Sequence, residues 1–418
     1  MRCTATENAS KSCLNVRLAQ PLSSAAMHEI ERMLHLRYNK WDTQVGDVST
    51  LSEQPLVLSQ REWDSLCNSA ERLAAETARM ELALIEKFYR HSYAGVRRIG
   101  VPKAFWEAID PEKNNISARA MRFDFHPTTA GWCVSEVNSD VPGGWREGTS
   151  LPILYQPFYK DLYCPPSPLA AWGDAAQAAI GGGHAALLSA TGYLEDEQVV
   201  RTFMGELQSR RIPCFMIRSP AALQWQRSQG CILRGSDERV SLVIRFYQAE
   251  WLCALPVKTG WQKLLQTTEI PVINPTISVI SESKRFPLAF NDVTDYPAWK
   301  ALIPECRDPR EVDANDWESW VLKGCYSNTG DKVYICGKLS KEQRKQVIRE
   351  AQSHPLSWVA QRRFETVPLE FRGGPTHPCI GVFVVNGRAA GAYVRLSPRQ
   401  ITDFAAVETP LLIDRTDY

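Results

Sequence analysis

The chain has no hydrophobic run approaching the roughly 18 uncharged apolar residues that a membrane helix needs. Its first residues, MRCTATENASKSC, contain no apolar segment of the kind a secretory signal requires, so a cytoplasmic protein is expected. It also lacks net charge. Lys and Arg total 48 against 47 Asp and Glu, a formal charge of +1, which argues against a nucleic-acid binder held mainly by charge. The 12 cysteines include no C-x-x-C pair and none at zinc-finger spacing from histidine. An even count permits a disulfide framework, but without a signal peptide reduced, buried thiols are the expectation, and no local signature marks a catalytic cysteine. A composition of 44% hydrophobic and 23% charged residues over 418 positions is that of a globular protein with room for two or three domains.

Chemistry concentrates in Ala118 to Glu147, ARAMRFDFHPTTAGWCVSEVNSDVPGGWRE. Met121, Phe123 and Phe125 alternate as on a strand, residues 132–138 suit a partner strand, and His126 to Gly131 supplies a turn. If the hairpin closes symmetrically near Ala130, Asp124 lies opposite Glu136 and Arg122 opposite Asn138. Facing carboxylates repel unless a cation sits between them. Two carboxylates, an amide oxygen and a nearby arginine suit Mg²⁺ bridging to phosphate. A plain hairpin with one wet face accounts for the same spacing.

Elsewhere the pattern is mostly structural. Ala25–Leu36 reads as a helix. Leu58 to Tyr89 is the clearest one, with an S-x-x-E capping box at Ser59 and Glu62 and an apolar face through Trp63, Leu66, Leu73, Met80, Leu84 and Phe88. Nothing on it calls for chemistry. Gly181–Gly183 is a turn, since no G-K-[ST] follows as in a phosphate loop. Residues 185–255 read β-α-β-β, with strands at AALLSA, CFMI (214–217) and SLVIRFY (241–247) and a helix from Leu194 to Arg210, which implies a parallel unit with a right-handed crossover. Lys284 is placed on a helix. WVLKGCYSNTGDKVYICG reads strand, loop, strand, with Lys323 ending the first strand, and SWVAQRRFE is a strand carrying Gln361. CIGVFVVNGRAAGAYVRL is a hairpin turning at Asn386-Gly387, with Arg395 near its end. Each of these cations taken singly reads as a solvated surface charge.

Taken together and in order, R-x-D at Arg122–Asp124, E-x-N-x-D at Glu136–Asp140, N-P…S-K at Asn274–Lys284, W-V-L-K at Trp320–Lys323 and I-G…A-A-G…R at Ile380–Arg395 resemble the circularly permuted ATP-grasp ligases. Within them the chain is similar to the synthetase domain of glutathionylspermidine synthase and its short relatives, over roughly residues 40–415. VIRFYQAEWL (243–252) resembles a further family block. The implied fold is a mixed α+β and α/β one: a permuted ATP-grasp fold with an inserted small α/β module. The expected division is an N-terminal segment 1–54, a metal-binding part 55–165, the α/β pre-ATP-grasp-like module 166–262 and a nucleotide-binding part 263–418.

The resemblance also implies roles. Asp124, Glu136 and Asn138 would hold Mg²⁺ on ATP. Arg122 would contact the γ-phosphate and acyl phosphate, and Arg395 the transferred phosphoryl group. Lys284 and Lys323 would bind phosphates, with Gln361 lining the adenine pocket. In the family loop Pro is followed by Gly-Arg-x-Gly; here Gly324 is followed by Ser327-Asn328-Thr329-Gly330, so the arginine is missing and Lys332 is its candidate replacement. Ser327–Lys332 is the candidate lid. Asp140 and Glu147 match family acidic positions and are candidates for recognising an amine. The expected activity is ATP-dependent joining of a small-molecule or short-peptide carboxylate to an amine through an acyl phosphate. A non-catalytic nucleotide-binding module and a small-molecule phosphotransferase are the alternatives.

Overall fold

The computed structural model describes residues 14–45, 48–109, 118–192, 194–226, 230–266, 270–293, 295–327 and 330–416. The hairpin forms between Ala120–Thr128 and Gly131–Asn138, with Asp124 opposite Glu136 and Arg122 opposite Asn138 as period-two alternation requires. Its turn is shorter than expected. The first strand runs through His126 and Pro127 to Thr128, and a register shift between Asp124 and Phe125 takes up the odd residue. Neither face of that strand is wet, because Ala120 through Pro127 are all buried.

The hairpin enters a six-stranded sheet by pairing with Gly374–Val385, which pairs in turn with Arg388–Ser397. Asn386 and Gly387 turn between those two strands with φ of 47° and 78°, the two positive angles of a type I′ turn. A second sheet, of four strands, is ordered Cys306–Arg307, Trp358–Arg362, Trp320–Gly324, Val333–Ile335. It faces the hairpin at Ser135, whose carbonyl accepts from Lys323 Nζ at 3.3 Å and from Gln361 Nε2 at 3.1 Å.

The α/β module is a third sheet. His184–Ser189 lies parallel to both Cys214–Ile217 and Arg239–Phe246, with helix Leu194–Ser209 as the crossover. The sequence reading missed the antiparallel pair Leu223–Gln226 and Gly230–Leu233, and the short strand Val272–Ile273 that adds to Arg239–Phe246. Their apolar runs are too short to separate from loop by period alone.

The long helix, Gln60–Val96, packs its predicted face into the main core with Phe123, Phe125, Ile380 and Val382. Ser59 caps it by accepting from the Glu62 N–H at 3.3 Å, whereas the Glu62 side chain accepts from Trp132 Nε1 at 3.1 Å. The helix also carries buried polar groups: both Glu76 oxygens cap the backbone N–H groups of Ala298 and Trp299 at 2.9 Å each. No helix among the described residues is long and apolar enough to cross a membrane.

The sheets are joined by buried polar nodes. Asn274 accepts from the Ala120 N–H at 2.8 Å and donates to the carbonyls of Ala120 (2.8 Å), Ser139 (3.2 Å) and Asp140 (3.0 Å). One amide thus ties the beginning of the hairpin's first strand to the residues that follow its second. Asn274→Ala should lower stability by about 2–4 kcal/mol, because several buried backbone groups lose their partner. The measurement is the urea midpoint at unchanged slope.

Candidate active site

The hairpin, the four-stranded sheet and the α/β module together line a cleft of about 1080 Å³. On its hairpin wall Asp124 is 2% exposed. Its Oδ1 accepts from Arg122 Nε at 2.8 Å, and its Oδ2 accepts from a terminal nitrogen of Arg122 at 3.2 Å, from Arg395 at 2.7 Å and from Asn138 Nδ2 at 3.4 Å. Burial alone would raise its pKa, but the two guanidinium groups outweigh burial and hold the carboxyl well below the ordinary range. The Tyr393 ring lies against both arginines, 5.5 Å from Arg122 and 5.1 Å from Arg395.

Two glycines make room for this group. Gly381 lies opposite Asp124 in register, and a Cβ there would approach Arg122 Cδ to 2.7 Å and Asp124 Oδ1 to 2.9 Å. Gly144, at φ +87°, admits the Tyr393 ring, to which a Cβ would come within 2.3 Å. The I-G of the sequence pattern thus has a steric reason.

Glu136 faces Lys284 at 3.4 Å. Burial pushes Glu136 up, but Lys284 and Lys323 overcome it and leave its carboxyl below the ordinary value. Lys323 is pushed down by burial, with Lys284 adding to the effect. Lys284 is not on a helix: it lies two residues past Val279–Glu282, in the turn before Phe286–Asp292, with Nζ donating to the Ser327 carbonyl at 2.7 Å. Proline at 287 and the short apolar run stop a longer helix. Glu136, Val137, Lys284, Phe286, Trp299, Lys323, Val359 and Gln361 line a slot of about 20 Å³ between the sheets, room for one water. Gly330 and Lys332 also line the cleft. Gly330 approaches Thr402, so the loop tip reaches across to residues 402–403. Asn328 and Thr329 of the candidate lid lie outside the described residues.

The structure puts Arg122, Asp124, Glu136, Asn138, Lys284, Lys323, Gly330, Lys332, Gln361 and Arg395 in one cleft. Asp140 and Glu147 also border it, but their carboxylates are engaged. Asp140 is 1% exposed, pairs with Arg245, accepts from Ser278 Oγ at 2.7 Å and from the Ala249 N–H at 2.7 Å. Glu147, in the first turn of helix Trp145–Tyr155, meets buried Lys40 at 3.0 Å. Lys40 also meets Glu408 at 2.8 Å and Asp42 at 3.1 Å. Lys40 and Arg146 overcome the effect of burial and hold Glu147 down to about 2.

Sequence reasoning passed over His126, Tyr393, Lys40, Glu408 and Glu282. Two of them had a signal: His126 and Tyr393 sit two residues from Asp124 and Arg395 on strands, hence on the same face. His126 is buried, which pushes its pKa down to about 4, and its Nε2 lies 3.0 Å from Ser135 Oγ. Glu282 accepts from the N–H groups of Ser139 (2.7 Å) and Asp140 (2.9 Å).

Among the described residues no three or more His, Cys, Asp and Glu side chains are grouped to hold a metal. The hairpin offers two carboxylates and one amide, hard oxygen donors that suit Mg²⁺ when phosphate oxygens and water complete its shell. The ten described cysteines are all free thiols.

Four cationic side chains and paired carboxylates thus meet between two facing sheets of a mixed α+β fold. A glutathione synthetase-like effector from Globodera pallida superposes with a TM-score of 0.62 at 12% identity, covering 86% of this chain and 89% of that one. A structure titled putative γ-glutamylcysteine synthetase, from Methylobacillus flagellatus, is matched at a TM-score of 0.38 and 12% identity over 78% of this chain and 82% of that one. No curated protein matches the sequence. The glutathionylspermidine synthase pre-ATP-grasp family matches residues 169–414, more than half of the chain. The chain belongs to that family.

Two outcomes follow from this geometry. Gly381→Ala should displace Arg122 from Asp124 and cost about 1–3 kcal/mol, read as a lower urea midpoint. Glu147→Gln should cost about 2–4 kcal/mol at neutral pH. A depressed carboxyl contributes stability that is complete above its ordinary value of 4.5 and is lost as pH falls toward about 2. Between those values the variant should therefore lose less stability than the unchanged protein, as urea midpoints across that range will show.

Proposed function

We propose that the cleft is the site of an ATP-dependent carboxylate–amine ligase. The observation that carries this reading is the gathering of Arg122, Arg395, Lys284 and Lys323, from four separate stretches of chain, around Asp124 and Glu136 of the hairpin. Phosphoryl transfer needs in-line placement and charge neutralisation more than a covalent protein group, and this is a site rich in both fixed cations and fixed anions.

In this reading a substrate carboxylate attacks the γ-phosphorus of ATP, giving an acyl phosphate and ADP. An amine then attacks the acyl carbon, phosphate leaves and an amide forms. Arg122 and Arg395 neutralise the transferred group, each able to present two N–H donors to phosphate oxygens. Lys284 and Lys323 hold the remaining phosphates. Glu136, Asn138 and Asp124 are the residues that would hold Mg²⁺, which would supply further neutralisation on the phosphate oxygens. Gln361 and the apolar walls of the slot take the adenine.

A slot with room for one water does not admit a purine. In this reading nucleotide entry parts the sheets where Lys323 and Gln361 meet Ser135, a contact at which Lys323 is buried. The loop through Gly330 and Lys332, already reaching residues 402–403, shields the acyl phosphate from water, and Lys332 supplies the charge that the family arginine would. The carboxylate hairpin precedes the nucleotide-binding sheet in the chain, the order of a permuted grasp fold, with 55–165 and 263–418 as its two parts around the 166–262 module.

The altered loop at 324–332 favours one second reading, a module that binds nucleotide without turnover. A single assay separates the two. With ATP, Mg²⁺ and a panel of acids and amines, the ligase releases ADP and phosphate only when both an acid and an amine are present. Release of AMP and pyrophosphate would overturn the reading, and a stable phosphorylated acid would make the protein a phosphotransferase. Glu136→Gln should lower turnover by about a hundredfold or more while the fold survives; near-normal turnover would remove Glu136 from the site.

A further inference from the structure

We propose that Tyr393 is a positioning residue: its ring keeps Arg122 and Arg395 aimed at the transferred phosphoryl group, and Glu408, anchored by buried Lys40, holds the ring. The proposal rests on the ligase reading and adds to it the part that aligns the two arginines. Tyr393 and Arg395 are two residues apart on strand Arg388–Ser397 and share a face. Glu408, on the short strand Val407–Thr409, stands directly opposite Arg395. Tyr393 is therefore the diagonal neighbour of Glu408 across the ladder, a separation that an aromatic side chain spans. Its hydroxyl donates to Glu408 Oε1 at 3.1 Å. Burial, with Glu408 beside it, holds that hydroxyl well above its usual pKa, so it stays a donor.

The ring is fixed on its other side by Gly144, whose missing Cβ leaves the space it fills. Beside that glycine, the Gly143 carbonyl accepts from a terminal nitrogen of Arg122 at 2.7 Å. The two guanidinium groups lie 5.5 Å and 5.1 Å from the ring centroid. Side chains this long have many rotamers, and two like charges set side by side repel. Asp124 gathers both arginines while the site is empty. A phosphoryl group competes with Asp124 for their N–H donors. The ring face takes no part in that exchange, so it stays under both cations when phosphate arrives. Tyr393 reaches the phosphoryl group only through the arginines.

The anchor comes from far upstream. Lys40 is fully buried, an unfavourable place for an ammonium unless acceptors surround it. It meets Glu408 Oε2 at 2.8 Å, Glu147 at 3.0 Å and Asp42 at 3.1 Å. Arg146 fixes the residue before it by donating to the Asn39 carbonyl at 2.6 Å. Glu408 thus spends one oxygen on Lys40 and the other on Tyr393, which gives residues 39–42 a part in aligning the site.

The test joins steady-state kinetics on the acid–amine pair from the assay above with phenylglyoxal labelling of the full chain, read at each arginine by peptide mass spectrometry. Tyr393→Leu should lower kcat about thirtyfold, since a reacting group an ångström out of place costs on the order of a hundredfold. KM for ATP should stay within about threefold, because Lys284 and Lys323 still hold the nucleotide. Phenylglyoxal should modify Arg122 and Arg395 about tenfold faster in that variant, with Arg285, buried elsewhere, labelled no faster. Tyr393→Phe keeps the ring and should lose no more than about fivefold in kcat. Glu408→Gln, whose amide oxygen still accepts from the hydroxyl, should lie closer to the unchanged protein than Glu408→Ala. Should Tyr393→Leu fail to fold, Glu408→Ala, which leaves Lys40 two carboxylates, should still speed labelling of both arginines about threefold. A kcat in Tyr393→Leu within about twofold of the unchanged protein, or labelling of Arg122 and Arg395 that rises no more than that of Arg285, overturns the positioning role. Absence of turnover with every acid–amine pair overturns the ligase reading instead, and labelling alone then decides whether the ring holds the arginines.

Discussion

A carboxylate buried between two guanidinium groups governs this site. Asp124 is almost fully out of water, where an isolated charge is unaffordable, and it keeps its charge because Arg122 reaches it along its own strand and Arg395 from a strand about 270 residues later. Much of the local sequence serves that arrangement. Gly381 leaves the space that Arg122 and Asp124 occupy, Tyr393 backs both arginines, and Gly144 leaves room for Tyr393. The facing carboxylates of the hairpin, which would repel if bare, are each given cations: Asp124 its two arginines and Glu136 its lysines.

The same physical requirement separates the other acidic residues around the cleft into two kinds. Asp140 and Glu147 are engaged. One anchors the turn at Ala249 and the buried Arg245; the other holds Lys40 beside Glu408. They are struts that fix the α/β module and the N-terminal residues to the hairpin. Asp196 is buried and Glu250 half-buried, and each keeps one oxygen without a hydrogen-bond partner. The sequence pattern pointed to Asp140 and Glu147 for amine recognition, and in the folded chain both carboxylates have internal partners.

Much of the fold was legible because strand and helix periods are local. The hairpin register, the Asn386-Gly387 turn, the apolar face of the long helix and the strand–helix–strand unit all follow from alternation, turn chemistry and helical spacing. What was misread or missed was short or context-bound: the hairpin turn, which is only two residues long with a register shift in the strands before it, the 223–233 strand pair, and Lys284 beyond its helix rather than on it. The side chain of Glu62 left its expected capping box for Trp132, a residue 70 positions away in the chain.

The sequence by itself determined which residues share a face and which stand opposite: Arg122 with Asp124, Asp124 against Glu136, Tyr393 with Arg395. A two-residue period sets these relations whatever surrounds the strand. Only the tertiary structure decided which charges are dry, which are paired and by whom. A carboxylate's partner comes from wherever in the chain the packing brings a cation or an N–H, and no local period encodes that. The hairpin was therefore readable as a pair of facing carboxylates, while its place between Arg395, Lys284 and Lys323, and the strut that Asp140 makes beyond its end, exist only in the folded chain.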